Sequence, residues 1–161
     1  MARRRLTFAK YLALRLGSVA PQRQIWHMFS RAFTAPTFRR FWYYWNPLYG
    51  YSLLTFCHAP LRRVASAKVS FVITFAISGF LLHDLPVFLF FGLGKLPFPV
   101  VSVAFVSIAL FLLLSERFGI TLHRVPRYMR VALHLAVIGG AFSVSLVLSW
   151  LYHHAGWAHV L

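Results

Sequence analysis

The chain has 161 residues, of which 60% are hydrophobic and only 12% charged, and its mean hydropathy is +0.68. That excludes disorder, because so much apolar surface cannot be left in water, and it argues against an ordinary soluble domain, in which about a quarter of residues are charged. Seventeen Lys and Arg face two acids, Asp84 and Glu116, for a net charge of +15. Read beside the hydropathy, that charge points to a membrane protein facing an anionic leaflet. The single cysteine, Cys57, excludes an internal disulfide and a cysteine-based zinc motif.

The first predicted element is a helix from Met1 to Ala20. It opens on Arg3-Arg4-Arg5, turns apolar, and places Phe8, Leu12, Leu16 and Val19 on one side, which suits a helix lying in the membrane interface. Lys10 and Arg15 interrupt the apolar run, so it does not read as a cleaved signal peptide. Pro21 is expected to end it. Ile25 to Leu61 then interleaves Trp26, Phe29, Phe33, Trp42, Trp45 and other aromatics with Arg23, Arg31, Arg39 and Arg40. Trp and Tyr prefer the headgroup level, so this stretch reads as interfacial or re-entrant helices. Interleaved aromatics and basic residues also suit single-stranded nucleic acid. Here such a groove would sit against lipid, and no nucleic-acid partner is expected.

Three apolar stretches follow that can span a bilayer: Val69 to Leu93, interrupted by His83-Asp84 and Pro86; Phe98 to Leu114; and Val131 to Tyr152. The fold class is therefore all-α, a polytopic membrane protein with about three transmembrane helices. Residues 1–161 form one membrane domain, with 1–65 basic, aromatic and interfacial and 66–161 transmembrane. Lys and Arg number 12 in residues 1–68, one in the next connection (Lys95), four between Ser115 and Arg130, and none after Tyr152. The alternation orients the N-terminus to the cytoplasm and the C-terminus outside, as in a bacterial inner membrane.

Few residues could carry chemistry. The chain has no nearby carboxylate pair, no phosphate loop and no nucleophile elbow. His83 and Asp84 lie well inside the first span, where an ionisable side chain is costly and reads as functional by default. A neutral imidazole there could act as a general base; the alternative is a histidine that holds helices together. Asp84, one residue on, does not share its helix face and cannot simply orient it. Asn46 either makes a turn before Pro47 or is a hydrogen-bonding amide kept dry. His153, His154 and His159 read as a hydrated tail, and His27, His58 and His123 as interfacial. His134 reads as a headgroup-level residue, and Gly139-Gly140 as a place where a neighbouring helix approaches closely.

Thr37-Phe38-Arg39-Arg40-Phe41-Trp42-Tyr43-Tyr44-Trp45-Asn46, then Pro60-Leu61, then Ser78-Gly79 shortly before His83, resemble the signature of the membrane-bound O-acyltransferase family. The likeness covers Thr37 to Asp84 and is to the family's C-terminal catalytic part in a short form. It departs from the common pattern at Arg40, where an acid is usual, and at Leu82 and Asp84, which flank the histidine. The resemblance implies that His83 is the catalytic base and Asn46 its polar partner, able to donate to an oxyanion. It implies that Trp42, Trp45, Ser78 and Asp84 lie about the substrates. The reaction implied is transfer of an acyl group from a thioester such as acyl-CoA to a hydroxyl of a lipid or sugar, with no permanently bound cofactor. The partners expected are the bilayer, the acyl donor and acceptor, and a partner subunit or second copy. The alternative is a non-catalytic membrane scaffold or lipid-binding module.

Overall fold

The computed structural model describes residues 7–17, 20–91 and 98–154. The Arg3-Arg4-Arg5 run, Val19, Leu93, Lys95 and His159 lie outside them. The described residues are helical, without strands, in the order α1 (Phe8–Leu16), α2 (Pro21–Phe33), α3 (Phe38–Tyr44), α4 (Pro47–Ser52), a π-helical turn π1 (Leu53–His58), α5 (Ala59–Leu61), α6 (Ala67–Gly79), a second π-helical turn π2 (Phe80–Asp84), α7 (Leu85–Phe91), α8 (Val100–Arg117) and α9 (Arg127–His154). The all-α reading holds. Two compact units are formed, one by Met1–Pro60 with Ser115–His134, the other by Leu61–Leu114 with Leu135–Leu161.

The first unit is built on aromatic packing. The predicted N-terminal helix ends earlier than expected, at Leu16. Gly17 takes φ +86° there and its N–H closes on the Ala13 carbonyl, a conformation that a side chain would strain. Pro21 opens α2 instead of closing α1, since a first-turn position needs no N–H donor. Thr37 caps α3 by accepting from the Arg40 N–H at 3.1 Å. Phe41, 2% exposed, stacks on Trp45 at 5.5 Å and meets the edge of Phe33 at 5.2 Å. Tyr11 of α1 is buried against the edge of Tyr51, 5.3 Å away.

The return segment of this unit is held by backbone carbonyls. Arg130 donates to the carbonyls of Val125 (2.8 Å), His123 (2.9 Å) and Thr34 (3.2 Å). The Leu122 N–H donates to the Pro36 carbonyl at 2.8 Å. His134, expected at headgroup level, is 2% exposed within the protein: its Nε2 lies 3.1 Å from the Ala35 carbonyl, and Phe38 and Phe41 pack on its ring. A carbonyl can only accept, so Nε2 carries the proton.

The second unit contains most of the three helices long and apolar enough to cross a membrane: Ala67–Phe90, Val100–Arg117 and Arg127–His154. They coincide with the three predicted spans to within a few residues at each end. Ser66 caps the first by accepting from Val69 N–H at 3.3 Å. The core is made of small and aliphatic side chains of α8, with Ala104, Ile108, Ala109 and Leu112 fully buried. Both π-helical turns stop just short of a proline, Pro60 and Pro86. A proline lacks the N–H and its ring crowds the carbonyl four residues back. The chain answers by widening: the Ala59 N–H reaches back five residues to the Leu54 carbonyl, and Leu85 to Phe80.

Candidate functional site

The polar residues that the sequence marks in the first span separate into two environments. Asp84 is 4% exposed. One oxygen accepts from the Val101 N–H at 3.0 Å, the other from the Ser102 N–H at 2.7 Å and the Ser102 hydroxyl at 2.5 Å. These N–H groups belong to the first turn of α8, which has no intrahelical acceptor for them. Asp84 is thus a capping group supplied across the helix pair, and its charge also complements the positive end of the α8 dipole. In hydrocarbon an unsatisfied N–H costs several kcal/mol, which gives this carboxylate a structural task at that depth.

Gly79 serves the same contact. A Cβ built on it would lie 2.6 Å from Ser102 Cα and 2.8 Å from Ser102 N, both backbone atoms that cannot swing away. Ser145 of α9 donates to the Val100 carbonyl at 2.6 Å. The start of α8 is therefore gripped by Gly79 and Asp84 from one side and Ser145 from another. Ser78 is buried beside Gly79 in sequence, at 7% exposure. Thr74 Oγ1 donates to the Ser70 carbonyl at 2.6 Å, so it is satisfied within its own helix.

His83 has the opposite setting. It is exposed, and its ring meets Phe105 edge-on with centroids 5.7 Å apart. The two residues sit on neighbouring positions of π2, one outward, one inward, as adjacent helical positions do.

Asn46 lies in the other compact unit. Its backbone is left-handed, φ +39°, and its Oδ1 accepts from the Tyr49 N–H at 3.4 Å. Asn tolerates that region better than other side chains and caps the helix that follows. The turn reading of Asn46 is what its geometry displays. Trp42 and Trp45 are half-buried; Trp45 packs against Phe29, Phe33 and Phe41. Asn46 and both tryptophans thus belong to one unit, and Ser78, His83 and Asp84 to the other.

The contacts made by three further polar groups, His134, Arg130 and Ser102, were not read from the sequence. His134 and Arg130 stand four residues apart on one helix face, a spacing legible beforehand. Their carbonyl partners, nearly a hundred residues away, were not. Tyr11 carries a buried hydroxyl without a hydrogen-bond partner among the described residues. Burial raises the pKa of that hydroxyl, against the opposing pull of Arg15. The Arg15 guanidinium lies over the rings of Tyr11 (4.3 Å) and Tyr43 (3.7 Å) and donates to the Tyr43 carbonyl. Burial lowers its pKa.

Among the described residues no three His, Cys, Asp or Glu gather as a metal site. His154 bonds the Trp150 carbonyl at 2.8 Å and stacks on that indole. In the second unit an apolar groove of about 330 Å³ runs between α8 and α9, lined by Ser107, Phe111, Gly140, Ala141 and Val144 among others. A Cβ added at Gly139 or Gly140 meets nothing within 4 Å, so no described helix makes the close approach that this pair suggested.

Comparison with protein-family models, with curated proteins and with solved structures finds no match. Fold and hydropathy together define the class: an all-helical membrane protein with three candidate spans.

Proposed function

We propose that the chain is a non-catalytic membrane module that binds anionic lipid headgroups through its basic, aromatic unit. One observation carries this reading. The first unit holds 13 of the 17 Lys and Arg and one acid, and that acid, Glu116, is already paired with Arg39 at 2.5 Å. Its outward basic side chains include Lys10, Arg23, Arg40, Arg124 and Arg127. Each such residue near an anionic surface contributes about 1 kcal/mol. The polar residues of the spans support the reading too, because Asp84 and Ser145 are occupied in holding α8. By the distribution of Lys and Arg the N-terminus faces the cytoplasm, as in a bacterial inner membrane.

The test is lipid retention. Purified protein in mixed phosphatidylglycerol and phosphatidylcholine micelles is expected to enrich the anionic lipid, and the enrichment falls with salt because exposed charges are screened. Equal retention of both lipids at low salt overturns the reading.

A second reading is acyl transfer from a thioester to a hydroxyl, with His83 as base and Asn46 as polar partner. It is favoured by the resemblance on Thr37 to Asp84 and by the π-helical turn at His83, since such turns frequently mark functional sites. Labelled acyl-CoA with lipid and sugar acceptors tests it. Transfer by the wild type that His83→Gln abolishes, with unchanged thermal stability, would establish it; no transfer leaves the non-catalytic reading in possession, and transfer unchanged in the variant removes His83 as the base and overturns the non-catalytic reading as well.

A further inference from the structure

Helix α2 leaves part of its apolar face uncovered. Pro21–Phe33 is strongly amphipathic, yet of low overall hydrophobicity, the pattern of helices that lie in a membrane interface. On the surface of a soluble unit the apolar face would be buried. Here Ile25, Trp26 and Phe29, the last four and three residues after the other two, are 62%, 70% and 42% exposed, although Phe29 also touches Trp45. Two polar side chains, His27 and Arg31, turn inward. His27 Nδ1 donates to the Leu16 carbonyl at 2.8 Å, and Arg31 donates to the Arg15 carbonyl at 3.0 Å. Both carbonyls close the C-terminal end of α1, where backbone acceptors are left over. Part of the apolar face is therefore left uncovered by construction: His27 and Arg31 of α2 reach the end of α1, Ala32 and Phe33 pack inward, and Ile25, Trp26 and, in part, Phe29 stay outward.

We infer that the Ile25–Trp26–Phe29 face of α2 is seated in the headgroup and acyl boundary of an anionic bilayer, with Arg23 at its edge reaching lipid phosphate. This deepens the lipid-binding reading and rests on it. Three observations favour a bilayer over a protein partner. The unit is strongly basic and its only acid is already paired, so the covering surface must be anionic as well as apolar. A leaflet offers both within one interfacial depth. Trp26, the most exposed of the three, is of the residue type that prefers that depth. Chain connectivity also ties the unit to the candidate spans. Only the turn Arg62–Ser66 separates α5 from the first, and Ser115–Arg117 and Arg127–His134, at the ends of the other two, belong to this unit.

The full chain, with Cys57→Ser as background, tests this by nitroxide labelling in vesicles of phosphatidylcholine and phosphatidylglycerol. Single labels at Ile25→Cys, Trp26→Cys and Phe29→Cys are expected to collide several-fold more often with oxygen, relative to a water-soluble nickel chelate, than a label at Arg23→Cys. All four sites are exposed or partly so, and unchanged melting temperatures verify folding. A nickel-accessible face at 25, 26 and 29 overturns the inference, as does dipolar broadening between copies, which would mean a second chain covers it. The two readings fail separately. Loss of anionic-lipid enrichment with an oxygen-rich face removes the headgroup preference and keeps the seat. Enrichment with a nickel-accessible face does the reverse.

Discussion

Tyr11 packs its ring among aromatics while its hydroxyl finds no acceptor or donor among the described residues. A buried unpaired hydroxyl costs about 1–3 kcal/mol. Tyr11→Phe is therefore expected to raise stability by about 1 kcal/mol, read as a higher melting temperature in detergent. The same substitution has a pH signature. The raised pKa of Tyr11 means the native state favours the neutral phenol, so its contribution is intact below the unfolded value near 10 and is lost as pH rises through the native value. The wild type should lose stability above about pH 10 more steeply than Tyr11→Phe. Gly50 adds a coupled test: a Cβ there would lie 2.8 Å from the Tyr11 hydroxyl oxygen and 3.9 Å from the ring carbon that bears it. Gly50→Ala should destabilise the wild type and be tolerated in the Tyr11→Phe background, and equal penalties in both would refute the contact. None of this was legible in the sequence, because a hydroxyl without a partner is a property of everything packed around it.

Asp84 and α8 show how far an element can be read from its own residues. Hydropathy located the apolar run of α8 and Pro86 foretold a local break in the first span. Helix geometry already put His83 and Asp84 on different faces, but nothing told which of them would meet α8. The donors to Asp84 are backbone N–H groups 17 and 18 residues on, and backbone groups carry no sequence signal. Asp84→Ala leaves two N–H groups and the Ser102 hydroxyl without their acceptor and should cost about 3 kcal/mol or more. Asp84→Asn keeps one acceptor oxygen and should fall between. Gly79→Ala should be as harmful as Asp84→Ala, since the added methyl meets backbone. Thermal unfolding followed by circular dichroism ranks the three; a Gly79→Ala protein as stable as wild type would refute the close approach.

Across the molecule, charge and hydropathy divide the chain in the same sense, a basic aromatic unit and an apolar one of three candidate spans. If Lys and Arg set the orientation, a cysteine at exposed Lys10 in the Cys57→Ser background should react with an impermeant maleimide only when the cytoplasmic face is open; labelling from the outer face would reverse the topology. The all-helical class, the number and approximate limits of the candidate spans and the basic, aromatic character of the first 65 residues followed from the amino acids alone, with a turn at Asn46 as one of two readings. These depend on local sums over neighbouring residues, such as apolar length, charge count and backbone preference. Tertiary structure alone decided that Asp84 caps α8, that His134 and Arg130 bind carbonyls of the α2–α3 connection, and that α2 leaves Ile25 and Trp26 uncovered. Each of those turns on which distant backbone group comes within 3 Å or so of a side chain, and no local sum contains that distance.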